Sequence, residues 1–513
     1  MKEQIKTLLN LNAKINRGDK KRIEKQHKLE KLTARERIDI LLDESSFIEI
    51  DKFMGEGTFN QDNLSHRESA DSVVVGYGTI DGRLLFVYSQ DFTVNSGAMG
   101  EKHAKKILKI QDMALKMGAP IVGFIDSSGG KIEEGLDTLS GYGKILRKSS
   151  ILSGVVPQIS VVVGPCIGGA AYSPALSDFV FMVNGTSHMS LNGPQVLGST
   201  ENEEIDIEKL GGAMTHSKTS GIAHFIDDSE EGSIDSVRRL LSYLPSNYLE
   251  DVPRYDFMDD INRVDNKLNE IIPEEYHKSY DVKDIINSLA DSGEFFEISS
   301  HYAPNIVVGY IRLNGSTIGV VANQSDVLDG VLDIKAVNKA TRFIRICDSF
   351  NIPILNLVDT PGFLLDKEQE YEGVIKHGAR MIYAYSEATV PKVTVVLRRA
   401  YGSAYLAMCP KDLGADQVFA LPIAEISVIN PEGAANIVFK EEIANAEDPI
   451  SVRQEKIIEY KNTVANPYTA ARNGYVDDII VPSLLRPRLI YSFDMLATKV
   501  ENRPLKKQGN LPI

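Results

Sequence analysis

Val73-Val74-Val75-Gly76-Tyr77, followed by Asp81-Gly82, returns as Ile306-Val307-Val308-Gly309-Tyr310, followed by Asn314-Gly315, a shift of 233 residues. The shift persists from Pro120-Ile121-Val122-Gly123-Phe124-Ile125-Asp126 to Pro353-Ile354-Leu355-Asn356-Leu357-Val358-Asp359, and it brings Gly129 onto Gly362. It then lengthens by one residue: Val156-Pro157 with Gly168 matches Val390-Pro391 with Gly402 at 234. Solenoid repeats recur every 20 to 50 residues or so, so a period this long marks two similar domains in one chain. The domains are expected at residues 1–255 and 256–513. Residues 251–280, rich in Asp and Glu and carrying two prolines, read as a solvated linker.

Each copy has the same succession of signals. An apolar strand pattern (73–77; 306–311) meets a turn, Asp81-Gly82 or Asn314-Gly315, that predicts a hairpin. Helical spacing follows over 102–117 and 333–350; in the second copy Ile334, Val337, Ala340, Thr341, Ile344 and Cys347 recur on one face. Short apolar runs at 121–125 and 354–358, a Gly-containing loop, more helix, and runs at 158–163 and 392–397 complete the unit. Strand alternating with helix predicts layered α/β with mainly parallel sheets.

Composition narrows the function. A length of 513 residues with 43% hydrophobic and 25% charged residues is that of an ordinary globular protein, which excludes disordered, collagenous and disulfide-scaffold classes. The net charge of −15 argues against general nucleic-acid binding. Cys166, Cys347 and Cys409 are too far apart for a CxxC pair or zinc knuckle, and point to a reducing, cytoplasmic compartment. No apolar run reaches the ~18 residues of a membrane span, and residues 155–172, the most apolar stretch, are broken by two prolines, Gln158 and glycines. Twelve Lys and Arg against five acids in residues 2–37 read mainly as a solvated helix face, with a phosphate-rich ligand such as coenzyme A as the alternative.

The chemistry is expected in two loops. Gly164-Pro165-Cys166-Ile167-Gly168-Gly169-Ala170 and Arg398-Arg399-Ala400-Tyr401-Gly402-Ser403-Ala404 each follow a buried strand and precede a helical pattern. Small residues at such a turn let a ligand reach backbone N–H groups, and two such groups make an oxyanion hole. A single loop of this kind reads as a tight turn; both copies keeping small residues in register favours function. No GxxxxGK[ST], HExxH or GxSxG occurs, and the nine histidines show no metal-ligand spacing, so no metal is expected. His216 and His224 are assigned to packing or hydrogen bonding. Asp126 and Asp359, each ending a buried strand, are assigned first to holding a loop and second to acting as a base. Lys116, in Ala114-Leu115-Lys116-Met117, is an ordinary surface lysine rather than a biotinylated one, because it falls late on a helix.

A dozen motifs in order then carry a resemblance over essentially the whole chain. They include Lys31-Leu32-Thr33-Ala34-Arg35-Glu36-Arg37-Ile38, Ser89-Gln90-Asp91-Phe92-Thr93, Tyr172-Ser173-Pro174-Ala175-Leu176, Gly211-Gly212-Ala213, Thr215-His216, His377-Gly378-Ala379 and Ala388-Thr389-Val390-Pro391-Lys392-Val393-Thr394. With the two glycine loops and residues 359–363, these resemble the carboxyltransferase (β) subunit of biotin-dependent acyl-CoA carboxylases, of the propionyl-CoA carboxylase type. The resemblance implies two tandem crotonase-like (ClpP/crotonase) α/β domains, the first facing acyl-CoA and the second facing biotin. It implies a ring-shaped hexamer of paired dimers, with sites shared between the N-domain of one subunit and the C-domain of its partner. Biotin, as carboxybiotin, rides on a separate carrier, so a biotin carboxylase and a biotin carboxyl carrier subunit are the implied partners and a coenzyme A thioester the substrate. By the same resemblance Gly168, Gly169 and Ala170 stabilise the acyl-CoA enolate, and Gly402, Ser403 and Ala404 the biotin oxygen. Ser128, Gly129, Gly130, Lys131 and Leu406 contact substrate, and Thr360, Pro361, Gly362, Phe363 and Tyr401 receive the biotin ring.

Four positions depart from the family pattern. Ser403 stands where a second glycine is frequent, and Ser128 and Lys131 alter a glycine-glycine-alanine-arginine-isoleucine pattern. Leu406 stands where propionyl-type members resemble one another in carrying Asp and acetyl-type members carry a branched aliphatic, leaving the acyl chain open. The expected function is carboxyl transfer to a short acyl-CoA, propionyl-CoA first. The alternatives are the soluble subunit of a sodium-pumping methylmalonyl-CoA decarboxylase, an acetyl-CoA or other acyl-CoA carboxylase, and a non-catalytic scaffold. A crotonase-type hydratase ranks lower, since the sequence offers no obvious acid/base carboxylate pair.

Overall fold

A computed structural model describes residues 1–55, 71–193, 197–198, 205–256 and 259–512. The chain divides into two compact units, Met1–Glu250 and Asp251–Ile513.

In the first unit the strands are β1 (Ile48–Ile50), β2 (Val73–Ile80), β3 (Arg83–Gln90), β4 (Ile121–Ser127), β5 (Gln158–Ile167), β6 (Phe179–Val183), β7 (His188–Ser190) and β8 (Phe225–Asp227). They form one sheet in the order β1-β2-β3-β4-β5-β6-β8, with β7 beside the end of β5. β1, β2 and β3 pair antiparallel; from β3 onward every pairing is parallel. Parallel neighbours need crossovers, and helices Glu101–Met117 and Leu136–Leu152 supply them. All seven residues of β4 are buried, as befits a strand covered on both faces.

In the second unit β9 (Phe296–Ile298), β10 (Ile306–Leu313), β11 (Ser316–Asn323), β12 (Ile354–Thr360), β13 (Lys392–Tyr401), β14 (Gln417–Ala420), β15 (Glu425–Ser427) and β16 (Asp478–Ile479) repeat the plan. The order is β16-β14-β13-β12-β11-β10-β9, with β15 beside the end of β13. Helices Ile334–Ser349 and Val374–Glu387 make the crossovers, the first capped by the Asp333 side chain accepting from Ala336 N–H. Val307, Ile311, Val320, Leu355, Leu357, Val393 and Val395 build the core with Ile285, Ile286 and Leu289 of helix Val282–Leu289.

The duplication extends to defects in the ladders. Pairing of β4 with β5 runs to Ile125↔Val162 and jumps to Ser127↔Cys166; pairing of β12 with β13 runs to Val358↔Val396 and jumps to Thr360↔Ala400. Irregularities of this kind re-aim a strand next to functional loops.

Two expectations need correction. Residues 164–167 and 398–401, read as loop, are strand, because β7 and β15 pair with them and prolong the ladder. Residues 251–280 are not a wholly solvated linker: Leu268, Ile272 and Tyr280 are buried in the second core, and Tyr255 N–H donates to Gly315 O at 3.1 Å. The acidic residues that suggested solvent lie between these apolar anchors. Among the described residues no helix is long and apolar enough to cross a membrane.

Candidate functional site: two glycine turns on buried carboxylates

In the first unit the penultimate residue of β4 is Asp126, which is fully buried. An isolated carboxylate there would be very costly, and three side chains meet it: Lys31 Nζ at 2.6 Å on Oδ1, Arg37 Nη2 at 2.9 Å and Gln26 Nε2 at 3.1 Å on Oδ2. Arg37 continues to Glu230 through Nε at 2.6 Å and Nη2 at 2.9 Å. Gln90 Oε1 accepts from Asp126 N–H at 3.0 Å. Burial lowers the pKa of Lys31, opposed by Asp126. These contacts assign Asp126 to holding the loop. Beyond it, Ser127 Oγ bridges the N–H and C=O of Gly129, while Met99 N–H donates to Gly129 O and Lys131 N–H to Met99 O, both at 2.9 Å. Ser128 and Gly130 are left exposed. The Lys131 ammonium turns to Asp71 at 3.4 Å and Glu134 at 3.6 Å, with its side chain 9% exposed.

The second unit builds the same frame from other residues. Asp359, also fully buried, takes Arg398 Nε at 3.1 Å on Oδ2, and Arg399 Nε at 2.7 Å and N–H at 3.1 Å on Oδ1. Arg398 Nη1 also donates to Lys278 O at 2.8 Å and Glu275 O at 3.2 Å, and Nη2 to Ser325 Oγ at 3.1 Å. Asn323 Oδ1 accepts from Asp359 N–H, as Gln90 does for Asp126. Thr360 Oγ1 bridges Gly362, and Leu332 clasps Gly362 O and Leu364 N–H at 3.1 and 2.8 Å. The Phe363 ring lies against Gly378, where an added Cβ would stand 3.3 Å from its Cζ.

The loops that follow β5 and β13 share one backbone form. Ile167 and Tyr401 are extended, at φ −118° and −114°; Gly168 and Gly402 turn left-handed, at φ +71° and +57°; a short helical turn begins at once. Only glycine takes that turn without strain. Successive amides after a left-handed residue form a concave donor surface for an anion. Ser403 is not a left-handed residue and its side chain is exposed, so the serine keeps the turn intact. Ala170 and Ala404 are buried beneath the turns.

A cavity of about 550 Å³ opens beside the second turn. Gly402, Ser403, Leu406, Val428, Val464 and Tyr475 are among its mainly apolar lining. Leu406 is 51% exposed into that space. None of Thr360, Pro361, Gly362, Phe363 or Tyr401 lines it. Residues 360–363 instead emerge beside the end of β13, through the Thr360↔Ala400 pairing. The Tyr401 side chain is buried, its hydroxyl held by Glu425 Oε2. His216 and His224 hydrogen-bond to Met189 O (2.7 Å) and Val180 N–H (3.0 Å) respectively.

The sequence reading passed over the cations under each loop. Lys31 and Arg37 were hidden in a basic run that otherwise faces solvent. Arg398-Arg399 had a usable signal, two charges at the end of a buried apolar strand, which demand a buried partner. Glu425 had none, because its role depends on β15 lying against β13.

Comparison with known proteins agrees with this architecture. The carboxyl transferase domain family matches residues 25–511. The chain is 51% identical over 97% of its length to methylmalonyl-CoA decarboxylase subunit alpha of Propionigenium modestum, covering 96% of that protein. It is 50% identical, with the same coverage of both, to the propionyl-CoA carboxylase carboxyltransferase subunit of Haloferax mediterranei. The crystal structure of transcarboxylase 12S, a hexamer with methylmalonyl-coenzyme A and methylmalonic acid bound, superposes with a TM-score of 0.96 at 47% identity, over 100% of this chain and 98% of that one. The fold is therefore the expected α/β pair of crotonase-like domains. Built on a duplicated frame and matched along nearly its whole length, the chain belongs to the carboxyl transferase family.

Proposed function

We propose that the chain is the carboxyltransferase component of a biotin-dependent acyl-CoA carboxylase, moving a carboxyl group from carboxybiotin to the α-carbon of a short acyl-CoA, propionyl-CoA foremost. The observation that carries this reading is the pair of left-handed glycine turns, Gly168 and Gly402, each backed by a buried, charge-neutralised aspartate. Carboxyl transfer to a thioester develops negative charge on two oxygens, and each needs its own preorganised donors.

In this reading the Gly168, Gly169 and Ala170 amides face the thioester oxygen and stabilise it as the α-proton leaves. Ser128, Gly129, Gly130 and Lys131 frame the approach of the coenzyme A thioester, with the Lys131 charge held back by Asp71 and Glu134. The second turn fits a ring that is apolar on its faces and carries one polar oxygen: amides of Gly402, Ser403 and Ala404 at one end, and the apolar 550 Å³ cavity beyond. Carboxybiotin bound there supplies the carboxyl group and a basic ureido oxygen. Thr360, Pro361, Gly362, Phe363 and Tyr401 shape that half of the site from the neighbouring strand end, and Leu406 meets the acyl-CoA substrate from the cavity lining. A biotin carboxylase and a biotin carboxyl carrier subunit would be the partners, in the cytoplasm, with the chain assembled as a hexamer like transcarboxylase 12S.

The same groups serve the reverse reaction. Identity of 51% and 50% to two methylmalonyl-CoA decarboxylase alpha subunits favours that second reading, in which the chain removes the carboxyl group from methylmalonyl-CoA. One assay addresses the shared chemistry: decarboxylation of methylmalonyl-CoA and malonyl-CoA by the purified chain without ATP, stimulated by free biotin, with Gly169→Pro as control. Biotin-dependent turnover, abolished in the variant, is expected; no turnover of either thioester by the assembled oligomer would overturn the proposal. Adding a biotin carboxylase, its biotinylated carrier, ATP and bicarbonate then tests for net carboxylation.

A further inference from the structure

The two halves of the duplicated frame differ in how the strand leading into the glycine turn is tied to its neighbour. In the first unit β5 and β7 pair Pro165↔His188 and Ile167↔Ser190; in the second, β13 and β15 pair Arg399↔Glu425 and Tyr401↔Ser427. Tyr401 therefore stands where Ile167 stands, and Glu425 where His188 stands. The second strand end is joined by side chains as well as backbone: the Tyr401 hydroxyl donates to Glu425 Oε2. Lys461 Nζ, on helix Pro449–Thr463, meets the other oxygen, Oε1, at 2.8 Å and lies 5.1 Å from the centre of the Tyr276 ring. Glu425 thus joins three elements. Through Tyr401 it fixes the residue that launches the Gly402 turn. Through Lys461 it holds the helix that leads into Val464, Thr469, Ala470, Asn473 and Tyr475, the far wall of the cavity. An isoleucine at 401 could not make the contact with Glu425, and the Lys461 ion pair would no longer reach the turn.

We infer that Glu425 is a positioning residue for the second half of the site: it ties the Gly402 turn to the opposite wall of the cavity and so sets the distance between the amide donors and the apolar lining. A carboxylate is suited to the role because both its oxygens accept charge-assisted hydrogen bonds. Among the described residues the first turn has no such tie, so the device belongs to the half that must grip a ring rather than a thioester oxygen. That last assignment rests on the proposed function; the tie itself does not.

The test uses Glu425→Gln and Tyr401→Phe in the full-length, assembled protein. The first readout needs no ligand: amide hydrogen exchange followed by mass spectrometry over residues 399–408 and, as an internal control, 165–174. Exchange at 399–408 is expected to speed up about fivefold or more in both variants, with 165–174 unchanged. The second is steady-state kinetics of biotin-stimulated methylmalonyl-CoA decarboxylation. The KM for free biotin should rise about tenfold while that for the thioester stays within about twofold, and the double variant should be no worse than the poorer single one, as for two members of one network. Unchanged exchange at 399–408, or equal acceleration in both segments, overturns the inference whatever the kinetics. If the wild-type protein shows no biotin-dependent turnover, the functional proposal fails and the exchange comparison still decides the role of Glu425.

Discussion

Gly164 and Arg398 occupy the same place in the repeat, near the ends of β5 and β13, and neutralise equivalent aspartates in opposite ways. A Cβ at Gly164 would lie 2.0 Å from Asp126 Oδ1 and 2.5 Å from Lys31 Nζ, so the missing side chain is the space through which the Lys31 ammonium enters. Arg398 fills the equivalent place itself and lays its guanidinium on Asp359. The first unit therefore depends on its N-terminal segment for the charge that the second carries within the strand.

Removing that charge should unfold the first frame before it touches any chemistry. Lys31→Met leaves Asp126, among the described residues, with the side chains of Arg37 and Gln26, and should lower the unfolding free energy by about 3 kcal/mol, the range for breaking one arm of a buried ion pair. Gly164→Ala should cost at least as much, because backbone, carboxylate and ammonium must all shift. Urea unfolding followed by circular dichroism measures both; losses under about 1 kcal/mol would mean that Asp126 is adequately held without Lys31.

His103 supplies a pH signature. Burial pushes its imidazole down from 6.5 to about 4, against the pull of Asp71. Its Nδ1 lies 2.9 Å from Ser72 Oγ, and Ser72 Oγ donates to Ala98 O at 2.7 Å, so the ring donates from Nδ1 and Nε2 is left to accept from Gln90 Nε2 at 3.3 Å. Among the described residues a second proton, on Nε2, meets only the Gln90 amide nitrogen. The folded pKa lies below the unfolded one, so the unfolded chain binds the extra proton between pH 6.5 and 4 and stability falls as pH drops through that window, by about 1.4 kcal/mol per unit. In His103→Gln the stability difference between pH 6.5 and 4.5 should shrink by roughly 2–3 kcal/mol. Equal pH slopes in variant and wild type would assign acid sensitivity to other groups.

A polar chain crosses the second sheet without reaching solvent. Tyr385 Oη donates to Asn356 Oδ1 at 2.6 Å, Asn356 Nδ2 to Thr394 Oγ1 at 3.0 Å, and Thr394 Oγ1 to Cys409 O at 2.7 Å. Tyr385→Phe strands the Asn356 oxygen and should cost about 1–3 kcal/mol; adding Asn356→Leu should recover part of that, because removing both partners is cheaper than orphaning one. A double-mutant cycle on thermal unfolding measures the recovery, and strict additivity would argue against coupling.

Much of this frame was legible because duplication makes a chain its own control. The strand runs, both hairpins, the crossover helices and the Gly168 and Gly402 turns all follow from one repeat, offset by 233 and then 234 residues. What stayed hidden were the long-range partners. Lys31 reaches Asp126 across 95 residues, and nothing local separates it from the neighbouring solvated lysines. The ends of β5 and β13 read as loop because glycine, proline and arginine suppress a strand signal that only pairing with β7 and β15 restores. The 251–280 segment read as linker because its charges outnumber the few apolar residues, Leu268, Ile272 and Tyr280, that bury.

The two turns can be separated by the smallest possible change. At Gly168 an added Cβ meets no atom within 4 Å, so Gly168→Ala suffers only from its positive φ, about 1 kcal/mol of backbone strain. The protein should fold and assemble, while relaxation of the turn tilts the amides and lowers biotin-stimulated turnover by about 10- to 100-fold, short of the roughly 100- to 1000-fold of removing one oxyanion donor outright. At Gly402 the added Cβ also meets Val428 O at 2.9 Å, so Gly402→Ala should lose turnover and distort the cavity wall together, raising the KM for free biotin. Ser403→Gly should leave turnover within about twofold, since the left-handed residue is Gly402 and the serine side chain is exposed. Steady-state kinetics on the three variants, with sedimentation to verify assembly, would show this ranking. Full activity in Gly168→Ala would mean that the first turn is structural and that the thioester oxygen is stabilised elsewhere.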